Sequence, residues 1–599
     1  MAQQVASSTR TTDVVIRLVG ESGEGTVSLG DLLVQMFTAL GLDAYTFQTF
    51  PAEIKGGTVM YQLRARSGTI LSQGDQVDIL VALNDEGFDL FGDGLREGGI
   101  LLYDSDVFTP QPVEGRTDLP LPVSTLAKEE KDAVRQIVDP EALKRLPPPK
   151  NLIGLGALLQ LVGAPLEPAE QKIRDLFGRK GDAIVRMNIS ALHRGAEAVA
   201  DRAGVSAVPA VRPVQRSKPS ITVTGNQMIA MGAIASGLHF FAGYPITPAS
   251  EILEFLAREL PAFGGDVVQA EDEMAAIGMC LGASFSGRKA MTATSGPGVS
   301  LMVEQINLAS QAELPLVLVD VQRGGASTGM PTKTSQGDLN LALYGVHNES
   351  PRIVLAASSV EDCFWTTIDA VNFAEVYQCP VILLSDQSLA TRKSTVSPPD
   401  LASVRLMARV VPDAEALRGT YHRYLDTPTG ISPMASPGTI GGMYTCTGIE
   451  HDEYGDPAYS PQNAKRMKDK RFRKLATLLK EHGAEMVRHW GDEGAVDVGL
   501  ISFGSTEGVI REATERAQAE GIRVGHLHLR MICPLPTAVI EEFASRCRRI
   551  LVPELNYSGQ LAGWIRVHSR IEMETYDRDE GIPFLASEIH EQIVRVAGK

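Results

Sequence analysis

Gly243-Tyr-Pro-Ile-Thr-Pro-Ala-Ser-Glu251 decides how this chain is read. It follows an apolar run, Gly237 to Phe241, that reads as the end of a buried element. Each proline holds its own φ near about −65° and pushes the residue before it, Tyr244 or Thr247, out of helical space. Thr247 is thereby displayed on a stiff backbone at a strand-to-helix corner, which is where open α/β sheets place ligands.

Outward from this corner, short apolar strands alternate with helix-length segments: Val267 to Gln269, Lys289 to Thr294, Leu314 to Asp320, Ile353 to Ala356 and Pro380 to Ser385. Strands separated in this way imply right-handed βαβ crossovers and an open parallel sheet covered on both faces. The expected fold class is therefore α/β, with a domain over residues 221–420. Four loops follow strand ends: 244–251, 269–273, 294–298 and 322–334.

These loops carry the chemistry. Gln-Ala-Glu-Asp-Glu at 269–273 sets three carboxylates in a row before a helix rich in Ala and Gly. Complementing the helix dipole accounts for an acidic start, at about 0.3–1 kcal/mol per charge, but hardly for three in succession. Small residues at Ala275, Ala276, Gly278, Gly282 and Ala283 permit close approach of a cofactor ring or another subunit. Thr294-Ser-Gly-Pro-Gly298 is a tight strand-to-helix turn and by itself a weak signal. Arg323, directly after an apolar strand, is suited to clamp a carboxylate bidentately; its alternative is an ion pair with the acidic run.

Ahead of this domain, Asp13 to Val19 leads into Gly20-Glu-Ser-Gly-Glu-Gly25 and a helical pattern from Val27 to Leu42. Gly20, Gly23 and Gly25 let backbone approach an anion at a helix start, although their order is not the dinucleotide GxGxxG. Lys55, beside Gly56 and Gly57, reads as a phosphate contact or as a solvated turn lysine. Asp93, in Gly92-Asp93-Gly94, reads as turn chemistry, because no asparagine follows where a Mg²⁺-diphosphate motif requires one. This first domain spans 1–210 and ends at a proline-bearing linker, 211–220.

After the central domain, a Gly/Pro-rich stretch and a basic helical run (Lys465, Arg466, Lys468, Lys470, Arg471, Arg473, Lys474) form a connector over 421–485. The basic helix is expected to be solvated or to face another subunit. A smaller α/β domain with strands at Val496 to Phe503, Arg523 to Leu529 and Ile550 to Pro553 closes the chain over 486–599.

The totals agree with a multidomain enzyme. At 599 residues the chain exceeds one core, and its net charge of −17 argues against nucleic acid or an anionic membrane as partner. Six scattered cysteines form no CxxC, so no disulfide framework, metal site or iron–sulfur cluster is expected within the chain, and a reducing cytoplasmic home fits. The N-terminal residues lack an apolar signal core, and no run reaches the ~20 apolar residues of a bilayer span.

In chain order, GNQMIAMGAIASG, GYPITPASEI, QAEDEMAAIG, TATSGPG, VQRGGASTGMPTKTSQGDL and PELNYSGQLA resemble the α subunit of 2-oxoacid:ferredoxin oxidoreductases, from residue 13 to the C-terminus. GESGEG and EIKGG are similar to the γ domain of that family, here fused ahead of the α region as in members acting on 2-oxoglutarate. The resemblance implies a thiamine-enzyme pyrimidine-binding domain, a transketolase C-terminal-like domain and an N-terminal Rossmann-like γ domain. It implies thiamine-dependent oxidative decarboxylation of a 2-oxoacid, with the acyl group passed to coenzyme A and electrons to ferredoxin, or the reverse carboxylation. A separate β subunit, in an (αβ)2 assembly, would supply Mg²⁺ and [4Fe-4S] clusters.

By the same resemblance Glu273, rather than Glu271, matches the catalytic glutamate that contacts N1′ of the aminopyrimidine. Tyr244, Pro245, Ile246, Thr294, Ser295 and Gly296 belong to the thiamine and site loops. Thr247, Arg323 and Thr332 surround the 2-oxoacid, Arg323 on its C1 carboxylate, while a helix N-cap remains the competing role for Thr247. Gly20, Gly23, Gly25 and Lys55 are candidates for coenzyme A contact. Lys333, His347 and Arg352 are candidates for a distal carboxylate. Ala326 and Asn348 depart from the family, which often has Pro and Gly there. Pyruvate and branched-chain or aryl 2-oxoacids are the alternative substrates. A non-catalytic nucleotide- or coenzyme A-binding module is the distant alternative; it leaves YPITP, QAEDE and QRGGASTG unexplained.

Overall fold

The computed structural model describes residues 12–51, 56–139, 141, 144, 146–201, 210–216 and 218–598; Lys55 lies outside them. The chain forms two compact units, Met1–Thr222 with Arg392–Ser397, and Val223–Thr391 with Pro398–Lys599.

The first unit is built on a mixed sheet. Its strands are β1 (Asp13–Glu21), β2 (Asp43–Thr49), β3 (Thr58–Arg66), β4 (Val77–Ala82), β5 (Leu95–Asp104), β6 (Thr117–Leu121), β7 (Ile221–Thr224) and β14 (Lys393–Val396). Their order is β6-β5-β4-β1-β3-β2-β14-β7. β1 runs parallel to β4 and antiparallel to β3. The apolar run of β1 lacks strict alternation because both of its faces are covered: Val14, Ile16 and Leu18 enter one core, Val15 and Val19 another. Its one cation, Arg17, is satisfied by Gln62 and by the carbonyls of Phe91 and Asp93, so Asp93 contributes its backbone to a turn. Helices Lys150–Leu161 and Asp182–Ala200 cover one face and meet through glycine: a Cβ on Gly156 would stand 1.8 Å from the Leu192 carbonyl oxygen.

The second unit holds two sheets. The larger comprises β8 (Phe240–Gly243), β9 (Asp266–Gln269), β10 (Ala290–Thr294), β11 (Leu316–Gln322), β12 (Ile353–Ala356) and β13 (Pro380–Asp386), joined at its edge by β18 (Met531–Cys533). The order is β18-β12-β13-β11-β10-β8-β9, all parallel except β18, which pairs antiparallel with β12. The smaller sheet has β15 (Val487–Gly491), β16 (Val496–Phe503), β17 (Val524–Leu529), β19 (Cys547–Glu554) and β20 (Glu574–Asp577) in the order β15-β17-β16-β19-β20. Val317, Leu318 and Val319 of β11 and Val381, Ile382 and Leu383 of β13 are fully buried, as a central parallel sheet demands.

The connector differs from its expected role. Residues 404–460 contain neither helix nor strand, yet Tyr421, Tyr424, Met434 and His451 are buried. The basic helix, Pro461–His482, is not simply solvated: Lys470 and Lys474 are buried against Glu313, with Lys470 Nζ 2.7 Å from its carboxylate. Arg471 bonds Glu450 and Arg473 bonds Asp426. A cation-rich run here answers a buried carboxylate, something that charge counting along the sequence does not reveal.

Candidate active site

β9, β8, β10 and β11 are neighbours in the sheet, so the loops leaving their carboxyl ends converge on one side. The loop after β8 is shaped by the preceding GNQ motif. Asn226 Nδ2 donates to the Pro248 carbonyl at 2.8 Å, while Thr224 and Gln227 hold the two oxygens of Glu251. The following helix begins at Ser250 with Ala249 ahead of it, and the Thr247–Pro248 peptide is cis. Thr247 is thus not the N-cap, and Pro248 is not the first helical residue. Tyr244, Pro245 and Thr247 are exposed and Ile246 half-buried.

The acidic triplet after β9 separates into three roles. Asp272 is the N-cap of helix Glu273–Phe285, its Oδ1 accepting from the Ala275 amide at 2.7 Å. Glu271 points to solvent, whereas Glu273 is 5% exposed. The carboxylate of Glu273 lies over the turn after β10: a Cβ built on Gly298 would stand 2.8 Å from Glu273 Oε1 and 2.0 Å from Thr294 Oγ1. The hydroxyls of Thr294 and Ser295 are buried and find no hydrogen-bond partner among the described residues. Gly296 opens the helix Gly296–Gln311.

Arg323 follows β11 and is 8% exposed. Its Nη1 donates to the Thr247 carbonyl at 2.6 Å and its Nη2 to the Thr328 carbonyl at 2.8 Å; buried Nε has no partner among the described residues. The alternative ion pair with the acidic run is not found among the described residues. Instead the guanidinium ties the YPITP loop to the RGGASTG loop. Burial lowers its pKa, against the raising field of Asp338. Residues 323–333 form a tight hairpin closed by Gly324 N to Lys333 O at 3.0 Å, and Thr332 lies on its returning arm. Asn348 takes φ 56°, a left-handed conformation that glycine favours and asparagine tolerates. Among the distal-cation candidates, His347 and Arg352 precede β12 and so lie toward the amino end of the strands, away from the loops at their carboxyl ends. Lys333 stays beside the site loops.

Two sequence motifs prove to be one structural piece. Gln336 exchanges bonds with the backbone of Leu555, and Gln560 Nε2 donates to the Gly337 carbonyl at 2.9 Å. PELNYSGQLA therefore buttresses TSQGDL. Sequence reading missed Asp320 and Asp338 here. Asp338 packs its carboxylate on Gly296, where a Cβ would meet Oδ2 at 2.5 Å. Asp320, at the end of β11, is fully buried with neither oxygen partnered among the described residues. Asp338 touches the Thr294–Gly298 turn and Asp320 lies in the strand that leads to Arg323, and nearness to those two motifs is the signal that pointed toward them.

In the first unit, Gly20 to Gly25 links β1 to helix Thr26–Ala39. The Glu24 carboxylate occupies the hollow: Oε2 accepts from the Glu21 amide at 2.8 Å and from Asn84, and lies 2.9 Å from a Cβ built on Gly20. Burial raises the Glu24 pKa.

Comparison with known proteins meets this geometry. Residues 231–470 match the family described as pyruvate flavodoxin/ferredoxin oxidoreductase, thiamine diP-bdg. Residues 15–198 match pyruvate ferredoxin/flavodoxin oxidoreductase, and 496–586 match pyruvate:ferredoxin oxidoreductase core domain II. The 2-oxoglutarate oxidoreductase subunit KorA of Mycobacterium tuberculosis is 34% identical over 97% of this chain and 91% of its own. The chain belongs to the 2-oxoacid:ferredoxin oxidoreductase family.

Within that family, 2-oxoacid:ferredoxin oxidoreductase 2, subunit alpha, of Aeropyrum pernix is 31% identical over 98% of both chains. A solved structure of the 2-oxoglutarate:ferredoxin oxidoreductase from Magnetococcus marinus, with 2-oxoglutarate, coenzyme A and succinyl-CoA bound, superposes with a TM-score of 0.90. It is 40% identical, covering 98% of this chain and all of its own. As a family α subunit the chain has a β subunit for partner. The residues around Gly298 suit a thiamine ring: a buried carboxylate, two unpartnered hydroxyls and a bare glycine surface. Among the described residues no cluster could hold a metal ion, and no helix is long and apolar enough to cross a membrane.

Proposed function

We propose that this α subunit, with its β subunit in a cytoplasmic (αβ)2 assembly, interconverts 2-oxoglutarate plus coenzyme A with succinyl-CoA and CO2, using ferredoxin as electron partner. The observation that supports the reading is that buried Glu273 sets its carboxylate on the turn after β10 while buried Arg323 follows the neighbouring strand β11, a carboxylate for the cofactor and a guanidinium for the substrate.

Thiamine diphosphate, when bound, supplies the nucleophilic carbon that adds to the keto carbon and the sink for the electrons left by the departing carboxyl group. Glu273 would hold a proton against the N1′ nitrogen of the aminopyrimidine, and Thr294, Ser295 and Gly296 would border the ring with Tyr244, Pro245 and Ile246. Arg323, whose buried Nε has no partner among the described residues, would offer that N–H to the C1 carboxylate, a charge-assisted contact. Thr247 and Thr332 orient the carboxylate or keto oxygen, and Lys333 is the candidate for the distal carboxylate. The β subunit contributes Mg²⁺ and [4Fe-4S] clusters. Residues 1–210 act as the γ-like domain, 221–420 as the pyrimidine-binding domain and 486–599 as the transketolase C-terminal-like domain, joined by 211–220 and 421–485. Gly20, Gly23, Gly25 and Lys55 contact coenzyme A, a role that requires Glu24 to leave the hollow.

The test is viologen reduction by the purified α–β complex with coenzyme A and a panel of 2-oxoacids. Preference for 2-oxoglutarate supports the reading, preference for pyruvate or a branched-chain or aryl acid replaces its substrate, and no reduction with any of them refutes the enzyme.

A further inference from the structure

Gln336 is fully buried, and its side-chain amide bridges the ends of two strands of the smaller sheet. Its Nε2 donates to the carbonyl of Phe503, the last residue of β16, at 2.9 Å. Its Oε1 accepts from the amide of Leu555, just past β19, at 3.1 Å. The backbone N–H of Gln336 donates to the Leu555 carbonyl at 2.6 Å, and its carbonyl accepts from Asn556 Nδ2 at 3.4 Å. β16 and β19 lie side by side and parallel, so one primary amide, with a donor and an acceptor on the same carbon, serves both strand ends at once. None of the chemistry assigned so far uses it.

Two residues on, the same segment reaches the turn after β10. The Asp338 N–H donates to Gln322 Oε1 at 3.1 Å, beside Arg323, and the Asp338 carboxylate lies on Gly296, where a Cβ would meet Oδ2 at 2.5 Å. Gly296 opens a helix whose first turn holds no acidic residue and whose N-cap, Ser295, makes no side-chain cap bond. A carboxylate from outside the helix thus supplies the negative charge that the amino end of a helix favours. Between Gln336 and Asp338, the Gly337 carbonyl accepts from Gln560 Nε2 at 2.9 Å and its N–H donates to Ser335 Oγ at 3.1 Å. Residues 335–338 are therefore pinned to the smaller sheet at one end and rest on the Thr294–Gly298 turn at the other.

We propose that Gln336 is a positioning residue for the cofactor: by locking residues 336–338 to Phe503 and Leu555 it seats Asp338 against Gly296, and so holds the Thr294–Gly298 turn in place beside Glu273. This rests on the reading of that turn as a border of the thiamine ring. It gives the smaller α/β domain, which brings none of the assigned site residues, a part in shaping the site.

The experiment compares Q336M, in which a thioether of similar length and volume replaces the amide and both side-chain bonds are lost, with R488L. Arg488 also joins the smaller sheet to the rest of the unit, bonding Asp362 at 2.5 Å and Ser358 Oγ at 3.0 Å. Those partners follow β12, which β13 and β11 separate from β10. Amide hydrogen exchange is read by mass spectrometry on the purified α–β complex without added thiamine diphosphate. Q336M should speed exchange at residues 295–300 by about tenfold, whereas R488L should leave it within about twofold of wild type although both variants lower the thermal midpoint. With thiamine diphosphate bound, Q336M should slow exchange of the C2 proton by about tenfold or more, as small misplacements of cofactor-facing groups do, and R488L should not. If Q336M fails to assemble, Q560M carries the same test: it frees only the Gly337 carbonyl and the Asn340 amide, and should shift both readings the same way by a smaller factor. Equal changes in Q336M and R488L, or unchanged amides at 295–300 in Q336M, overturn the proposal. A wild-type complex that does not accelerate C2 exchange, with the amide contrast present, removes the thiamine reading and keeps Gln336 as the residue that holds the turn.

Discussion

Glu273 and Gly298 face each other across the turn after β10, with room for a hydrogen but not for a methyl group. A Cβ at Gly298 would overlap Thr294 Oγ1 at 2.0 Å and press the Glu273 carboxylate at 2.8 Å. G298A should cost about 1–3 kcal/mol of stability through overpacking and lower kcat at least tenfold by displacing Glu273. E273Q keeps the shape and removes the charge, so it should leave the thermal midpoint near wild type while abolishing exchange of the thiamine C2 proton followed by NMR. Exchange at the normal rate would remove Glu273 from its assigned role.

Arg323 joins two loops through the carbonyls of Thr247 and Thr328, so its loss has a structural and a binding component. R323M should raise the KM for the 2-oxoacid by roughly 10- to 150-fold, the equivalent of about 1.5–3 kcal/mol for a hydrogen bond to a charged group. R323K keeps a cation but loses the planar fork and should fall between. Steady-state kinetics on the complex decide this. An unchanged KM in R323M removes the clamp.

Glu24 fills the glycine hollow of the first unit as a phosphate would. If phosphate enters there, an anion must first be expelled, and E24A should tighten coenzyme A binding by about tenfold, near 1.4 kcal/mol. Fluorescence or calorimetric titration reads the change. An unaltered dissociation constant would place the coenzyme elsewhere.

Glu313 is fully buried among Lys470, Lys474 and Arg423. Burial opposes its ionisation, but the two lysines and the arginine prevail and hold the carboxyl below the usual range. Its folded pKa is depressed, so its contribution is complete above the unfolded value of about 4.3 and is lost as pH falls toward the folded value. E313Q should destabilise the second unit by about 3–5 kcal/mol at pH 7, by leaving buried cations unanswered. In thermal scans from pH 7 to pH 3 the gap between wild type and E313Q should narrow on acidification.

Much of the second unit was legible because buried parallel strands write themselves as short apolar runs: Ile353–Ala356 and Val496–Phe503 have the bounds read from sequence, and β10, β11 and β13 differ by at most two residues at either end. β2 was missed because its buried positions include Thr46 and Thr49, one on each face, hydroxyl residues that break the apolar pattern. β14 and β18 were missed because four and three residues carry no period at all; long-range pairing alone makes them strands. At the site, glycines and the acidic run pointed to the right loops. The division of Glu271, Asp272 and Glu273 into solvent, cap and buried carboxylate depends on where the helix starts. The Asp320–Asp338 pair could not be read, because proximity across 18 residues comes from loop geometry and not from spacing.

The pairing of β12 with β18 bears on how the chain is made. During synthesis the open edge of β12 emerges well before Met531–Cys533 exist to cover it. Until then a fully buried strand of the finished protein presents unpaired backbone groups and the apolar side chains of Ile353, Val354 and Leu355. Such an edge invites pairing with another nascent chain. Chains that stall or are truncated before residue 531 should aggregate rather than accumulate as a smaller folded core, and yield in a heterologous host will depend on translation running through to that strand.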